Sequence, residues 1–265
     1  MNELTPRPPA SPSSDRRTVD GWEAIQQGYA QYLSDESRLT AGRIEAIHFP
    51  ATVDDVAAAV RAARDAGHGV SVSGARTGIT GAAVPVESEE VIALERIRPG
   101  PVVRRAPDGQ WFVHVGAGTT LAELADALEH GLCDYPDGRP DRPLFYPVDS
   151  TEVSAQLGGT IATNASGART LHYGPTRRWV KAVTVVTADG RVLELERGQV
   201  RARGGFLRYQ RDDGTGADIR TPDVPLPGTK HTAGYALRSD MDAVDLFVGS
   251  EGTLGIVAEA DLWLA

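Results

Sequence analysis

The chain has 265 residues, enough for one large domain or two intimate ones, and a chain of that size buries roughly 70–75% of the surface it exposes when unfolded. Hydrophobic residues make up 41% and charged residues 24%, and no run approaches the ~20 consecutive apolar positions of a membrane-spanning helix, so no membrane span is expected. The formal net charge of −9 argues against non-specific nucleic-acid binding, which needs clustered Lys and Arg, and it obliges any anionic ligand to be held by local donors.

The first 18 residues, MNELTPRPPASPSSDRRT, are rich in Pro, Ser and charge and lack the apolar stretch of a signal peptide, so they read as a disordered leader. Residues 19–44 read as an N-terminal helical segment. After Pro50 the spacing predicts a helix, with Thr52 and Asp55 as a capping box, Val53, Val56, Val60 and Ala63 on one face, and Gly67 as its end. Val70–Val72 reads as a short strand, followed by the glycine-rich SGARTGITGAAVP and a second apolar run, Val91–Leu94. Here the glycines lie between two strands. A nicotinamide-type fingerprint places them between a strand and a helix, so this order disfavours it.

Alternation at Trp111, Val113 and Val115 predicts the next strand, and Thr120 with Glu123 caps a helix carrying Leu121, Leu124, Ala125 and Leu128 that Gly131 closes. Cys133 is the only cysteine, so neither an intrachain disulfide nor a cysteine metal cluster is available, which suits a cytoplasmic location. Val180–Val186 and Val192–Leu195 flank the turn signal Asp189-Gly190 and read as an antiparallel hairpin. Residues 198–229 read as a long irregular excursion, and the final IVAEADLWLA as a half-buried strand.

Three stretches carry the chemistry. In SGARTGITG, the glycines Gly74, Gly78 and Gly81 let the backbone curl so that several N–H groups meet at one anion, with Arg76, Thr77 and Thr80 as further donors; a plain glycine-rich turn is the other reading. Gly78 is expected to be a position suited only to a small residue. In QLGGTIATNASGARTLHYG, small and hydroxylated residues admit the close approach of a flat ligand, or Gly158 and Gly159 serve tight helix packing, and both can hold at once. LFVGSEGTLGIV by itself is a turn with a surface glutamate, Glu251, entering a strand. Three such segments in one domain imply a ligand long enough to touch several loops.

In order and spacing, SGARTGITG, PVDSTEVSAQLGGTIATNASGARTLHYGPTRRWV and DLFVGSEGTLGIV resemble the FAD-linked oxidases with a vanillyl-alcohol-oxidase (PCMH) type FAD-binding domain. The D-lactate dehydrogenase and glycolate oxidase subunit branch is closest in look, and the resemblance covers about residues 45 to 264. It implies an α+β fold of two α+β subdomains, residues 45–100 and 101–265, with FAD extended between them. The implied pyrophosphate loop is Gly74, Ala75, Arg76, Thr77 and Gly78. The implied segment beside the flavin ring is Pro147, Asp149, Ser150, Gly158, Gly159, Thr163, Asn164 and Ser166, and Glu251, Gly252, Ile256 and Val257 match the closing segment. Because the first loop has no histidine to tether the cofactor, the resemblance implies non-covalent FAD.

The implied reaction is hydride removal from a D-2-hydroxy acid such as D-lactate or glycolate, with Arg169, Arg177 and Lys230 as sources of positive charge near the flavin. Relatives continue past the GSEGTLG strand into a substrate (cap) domain, whereas this sequence stops at Ala265, so the chain is expected to be a fragment, to have that domain supplied by a separate gene product, or to serve as a flavin-carrying subunit. The expected partners are therefore a small-molecule substrate and a separate substrate-domain or electron-transfer subunit, and a non-catalytic FAD-carrying subunit is the alternative function. A reductase resembling the cell-wall enolpyruvyl reductases ranks last. No catalytic base and no metal ligand is assigned, and His172 and His231 are lone histidines without a role.

Overall fold

The computed structural model describes residues 3–13, 15, 17–86, 88–149, 151–210, 215–229, 231 and 234–265. Where the sequence suggests a disordered leader, the chain lies along the domain. Strand β1 (Glu3–Leu4) buries Leu4 to 1% exposure, and Arg7 bridges to Val192. The anchors are the acidic first-turn residues of the helix after Pro50: Asp54 accepts the Ala10 N–H at 2.8 Å and Asp55 accepts the Ser13 N–H at 2.6 Å. Composition signals the polarity of this leader but not the acceptors waiting for it.

The first half of the chain builds a four-stranded sheet. Strand β2 (Arg17–Asp20) is followed by helix α1 (Trp22–Gly28) and a 3-10 turn at Ala30–Leu33, then by β3 (Ile44–Phe49), whose buried Ile44, Ile47 and Phe49 make it a core strand. Helix α2 (Val53–Ala66) forms as its spacing predicts, with both halves of the capping box present and Gly67 left-handed at φ 77°. Strands β4 (Gly69–Ser73) and β5 (Glu89–Ala93) complete the sheet in the order β2-β3-β5-β4, parallel except for β2.

The second half builds a five-stranded antiparallel sheet. Its elements in chain order are β6 (Val102–Arg105), β7 (Trp111–Gly116), α3 (Leu121–Glu129), α4 (Leu157–Ala162), α5 (Thr170–Tyr173), β8 (Val180–Val186) and β9 (Val192–Glu196). The predicted hairpin is β8 with β9, in register at Val185 and Leu193. The irregular excursion after it contains a second hairpin, β10 (Phe206–Gln210) with β11 (Gly216–Arg220), on which β1 pairs to make a small third sheet. Helix α6 (Val244–Phe247) then leads to β12 (Ile256–Trp263). This last strand inserts at the centre of the five-stranded sheet, which runs β6-β7-β12-β8-β9. Ala260 accordingly faces Val115 on one side and Val183 on the other.

Two apolar clusters tie these parts together. Leu121, Leu124, Leu157 and Ile161 pack against Val113, Val115, Val183 and Leu262, so α3 and α4 cover one face of the five-stranded sheet. Ala125 is exposed, and Ala127 takes the inward position instead. The second cluster joins Val53, Val56 and Val60 of α2 to Val186, Val192, Ile256 and Ala258, so the helix of the first half also seals the edge of the second. At about 25 cal/mol per Å² of apolar surface removed from water, such shared burial fixes the two halves against each other, and with them the loops at their junction.

Candidate functional site

Each of the three glycine-rich stretches follows or enters an element that fixes it. The first leaves the C-terminal end of β4, where Ser73 is buried and Gly74 emerges half-exposed. Among the described residues, no backbone N–H from Gly74 through Ala83 donates to a protein acceptor, so the loop presents a run of unpaired donors. Arg76 takes the left-handed region at φ 61°, and its guanidinium folds back to donate to Ser73 Oγ at 3.1 Å and the Gly74 carbonyl at 2.9 Å. Thr77 is half-exposed and Gly78 exposed.

Gly78 does not carry the conformational demand expected of it. A Cβ there would meet nothing within 4 Å, and its φ lies outside the left-handed region. The turn is made instead at Gly81, with φ 82° and Leu39 Cδ1 2.5 Å from where a Cβ would stand. Glycine composition marks a turn but does not tell which glycine bends backwards.

The second stretch forms α4 and the bend after it. Leu157 and Gly158 donate their N–H groups to the carbonyls of Thr119 and Ala117 at 2.8 and 3.0 Å, and a Cβ on Gly158 would stand 2.6 Å from that of Ala117. The packing role proposed for the glycine pair thus falls on Gly158 alone. Gly159 is exposed, with nothing within 4 Å of its virtual Cβ. Thr163 is exposed and returns its hydroxyl to the Gly159 carbonyl at 3.0 Å. Asn164 is buried, left-handed at φ 49°, and its Oδ1 accepts the Arg177 N–H at 3.0 Å; Ser166 is half-buried.

Pro147 is buried, and Asp149 lies 3.4 Å from Arg169 Nε, so the segment before α4 runs beside the bend after it. Ser150 lies outside the described residues, as does Lys230. Behind this segment the Tyr146 hydroxyl is fully buried, and that burial pushes its pKa well above the usual phenol value.

The third stretch docks on the other two. Gly249 donates to the Ile161 carbonyl at 3.0 Å and Glu251 to the Ala162 carbonyl at 2.9 Å, which ties it to α4. A Cβ on Gly252 would stand 3.8 Å from Val72 of β4, and a Cβ on Gly74 would stand 3.3 Å from the Gln156 side chain at the cap of α4. Glu251 and Gly252 turn with φ 51° and 80°. Ile256 and Val257 are buried, one in each apolar cluster, so their side chains serve the core.

The structure thus brings segments far apart in the chain to one place. Two buried polar atoms there have no protein partner: Gln156 Oε1, against Gly74, and Ser250 Oγ, next to Glu251. Buried polar groups are nearly always hydrogen-bonded, so these two atoms call for a partner beyond the described protein atoms, such as a water or a bound group. Neither residue stands out in the sequence, although Gln156 opens the QLGG motif and a glutamine ahead of an apolar helix is the available signal.

The arginines divide. Arg169 is exposed beside Asp149. Arg177 is consumed by the protein, donating to the carbonyl and carboxylate of Asp245 at 2.7 and 3.2 Å and to the Val248 carbonyl, while burial lowers its pKa. Asp245 also takes Arg197 at 3.0 Å, so Arg177 holds α6 and the start of the third stretch rather than offering its charge to a ligand. His172 is exposed and meets the Tyr173 ring edge-on. A cavity of about 350 Å³ lies elsewhere, on the outer face of the five-stranded sheet, where His114, Thr184, Glu194, Glu196, Gln199 and Asp261 line it. Its carboxylates would repel a pyrophosphate, and none of the three stretches reaches it.

Residues 44–196 match the family described as FAD binding domain. Among curated relatives, the D-2-hydroxyglutarate dehydrogenase of Xanthomonas citri pv. viticola is 36% identical over 83% of this chain and 36% of its own length. The D-lactate dehydrogenase of Anaerostipes hadrus is 31% identical over 80% of this chain and 34% of its own. The chain therefore spans about a third of the relatives it matches. A solved alkyldihydroxyacetonephosphate synthase shares the fold with a TM-score of 0.57 at 20% identity, covering 84% of this chain and 32% of that one. The chain belongs to the FAD-binding domain family of the vanillyl-alcohol-oxidase (PCMH) type, and its cofactor is FAD.

Proposed function

We propose that this chain is the FAD-binding part of an oxidoreductase that oxidises a D-2-hydroxy acid such as D-lactate, glycolate or D-2-hydroxyglutarate. One observation carries the reading: three glycine-rich bends converge at the junction of two sheets, with unpaired N–H groups on one and orphaned polar atoms between them. That donor set fits a long dinucleotide, since fixed N–H dipoles hold a pyrophosphate without the positive net charge this chain lacks.

In this reading Gly74, Ala75, Arg76, Thr77 and Gly78 hold the pyrophosphate through backbone N–H groups. Gly159, open to solvent, admits a flat ring. Pro147, Asp149, Ser150, Gly158, Thr163, Asn164 and Ser166 shape and wall the ring's place, while Glu251, Gly252, Ile256 and Val257 close it through backbone. Residues 45–100 act as the first cofactor-binding subdomain and 101–265 as the second. Bound FAD supplies the electron sink for a hydride leaving the hydroxyl-bearing carbon. This chain's own part is to bind, orient and shield; in this reading a further domain or subunit would hold the substrate carboxylate and take the proton of its hydroxyl group. The names of the relatives, D-2-hydroxyglutarate and D-lactate dehydrogenases, support the substrate class. No helix among the described residues is long and apolar enough to cross a membrane. The single cysteine, Cys133, supports a reducing, cytoplasmic location.

The test is the absorbance spectrum of the purified chain, followed by reaction with each hydroxy acid and a dye acceptor. Flavin peaks that pass into the supernatant on acid precipitation establish non-covalent FAD. Bleaching by substrate marks a catalytically sufficient chain, and flavin that stays oxidised marks a carrier that needs its partner. A folded, colourless chain that ignores micromolar FAD refutes the cofactor site.

A further inference from the structure

The segment ahead of the matched domain reaches into the same site. It runs along the outside of the first loop, with the Glu36 N–H on the Arg76 carbonyl (3.3 Å), the Gly42 N–H on the Pro85 carbonyl (3.1 Å) and the Ser88 N–H on the Arg43 carbonyl (3.0 Å). Beneath it Tyr32 is 4% exposed, packed with Ile44, Ile47 and Phe49, and its hydroxyl donates to the Glu95 carboxylate at 2.6 Å. The face of its ring meets the Arg76 guanidinium, 4.4 Å from Cζ to the ring centroid.

Arg76 is left-handed, a conformation that side chains with a Cβ keep only when their surroundings hold them there. Beside the Glu36 N–H on its carbonyl, three side-chain contacts hold it: Ser73 Oγ, the Gly74 carbonyl and the Tyr32 ring. Together they fold the guanidinium back onto the start of the loop, while the loop's N–H groups keep no protein acceptor among the described residues. We propose that Tyr32 is a positioning residue for the cofactor's pyrophosphate, acting through Arg76: the ring fixes the left-handed bend that frees the loop's donors and keeps a positive charge at the start of the loop. This rests on reading residues 74–78 as the pyrophosphate loop.

The experiment is FAD titration of the full chain and its variants by flavin fluorescence, beside thermal unfolding of each cofactor-free form. A partly desolvated cation–π contact predicts about 10-fold weaker FAD binding for Tyr32→Leu. Tyr32→Phe, which keeps the ring, stays within about twofold of the parent. Arg76→Gln loses at least as much as Tyr32→Leu, since it also removes the charge, and the double variant loses no more than Arg76→Gln alone, because Tyr32 acts through that contact. Losses that multiply in the double variant, or a folded Tyr32→Leu that binds FAD like the parent, overturn the proposal. Should Tyr32→Leu fail to fold, Arg76→Gln decides it: weaker FAD at an unchanged melting temperature supports the role, and unchanged binding removes it. A parent chain that binds no FAD sinks the loop assignment itself, a result separate from any difference among the variants.

Discussion

Gly158 and Gly159 are neighbours in one helical turn, yet the structure gives them opposite duties that two alanine substitutions separate. A methyl on Gly158 would lie 2.6 Å from Ala117 Cβ, 3.2 Å from its Cα and 3.3 Å from its carbonyl oxygen. Carbon atoms rest at about 3.5–4.0 Å, so α4 must back away from the β7–α3 turn by roughly 1 Å. Doing so stretches the Gly158 N–H···O=C Ala117 bond, now 3.0 Å. Overpacking of this kind costs about 1–3 kcal/mol, and alanine returns up to ~1 kcal/mol of helix propensity, leaving a net loss of about 1–2 kcal/mol. For a domain of this size that lowers the melting temperature by roughly 2–8 °C. Gly159→Ala meets no atom within 4 Å, so the cofactor-free chain melts at its original temperature or slightly above. FAD binding should nonetheless weaken, because the new methyl occupies the open face assigned to the ring in the proposed site. Calorimetry of the cofactor-free variants and FAD titration read the two effects. A Gly158→Ala chain as stable as the parent, or a Gly159→Ala chain with unchanged FAD affinity, refutes this division.

Gly81→Ala forces a Cβ into φ 82° and against Leu39, and should destabilise by about 1 kcal/mol, whereas Gly78→Ala has space and an ordinary backbone and should be neutral in urea unfolding. Arg177→Gln strips Asp245 of one of its two cations and frees the Val248 carbonyl, so a loss of about 2–3 kcal/mol is expected, with FAD binding weakened through the displaced third stretch; denaturant midpoints check it. His114 has its pKa raised by the hydrogen bond to Asp261, and also by the charges of Asp261 and Glu259, against opposing burial and Arg104. A raised folded-state pKa makes this contribution full below pH ~6.5 and drains it as pH climbs through the folded value. Stability measured from pH 5.5 to 8.5 should therefore decline more steeply in the parent than in His114→Gln; identical slopes would refute the pairing.

The sequence by itself determined the pieces whose causes are local. Thr52 with Asp55 and Thr120 with Glu123 each close a capping box within one turn, and Asp189-Gly190 turns β8 into β9 across five residues. The order of the glycine-rich stretches was enough to place the chain in its family, because the loops need particular small residues wherever the rest of the fold carries them. Tertiary structure alone decided the remainder. It placed β12 between β7 and β8 and assigned Gly158 to the protein and Gly159 to open space. It also withdrew Arg177 into a buried network, set Gln156 against Gly74, buried the Ser250 hydroxyl without a protein partner, and brought Tyr32 to Arg76. Caps and turns are set by atoms a few residues away, whereas strand order and the partner of a buried polar group follow from which distant surfaces bury one another.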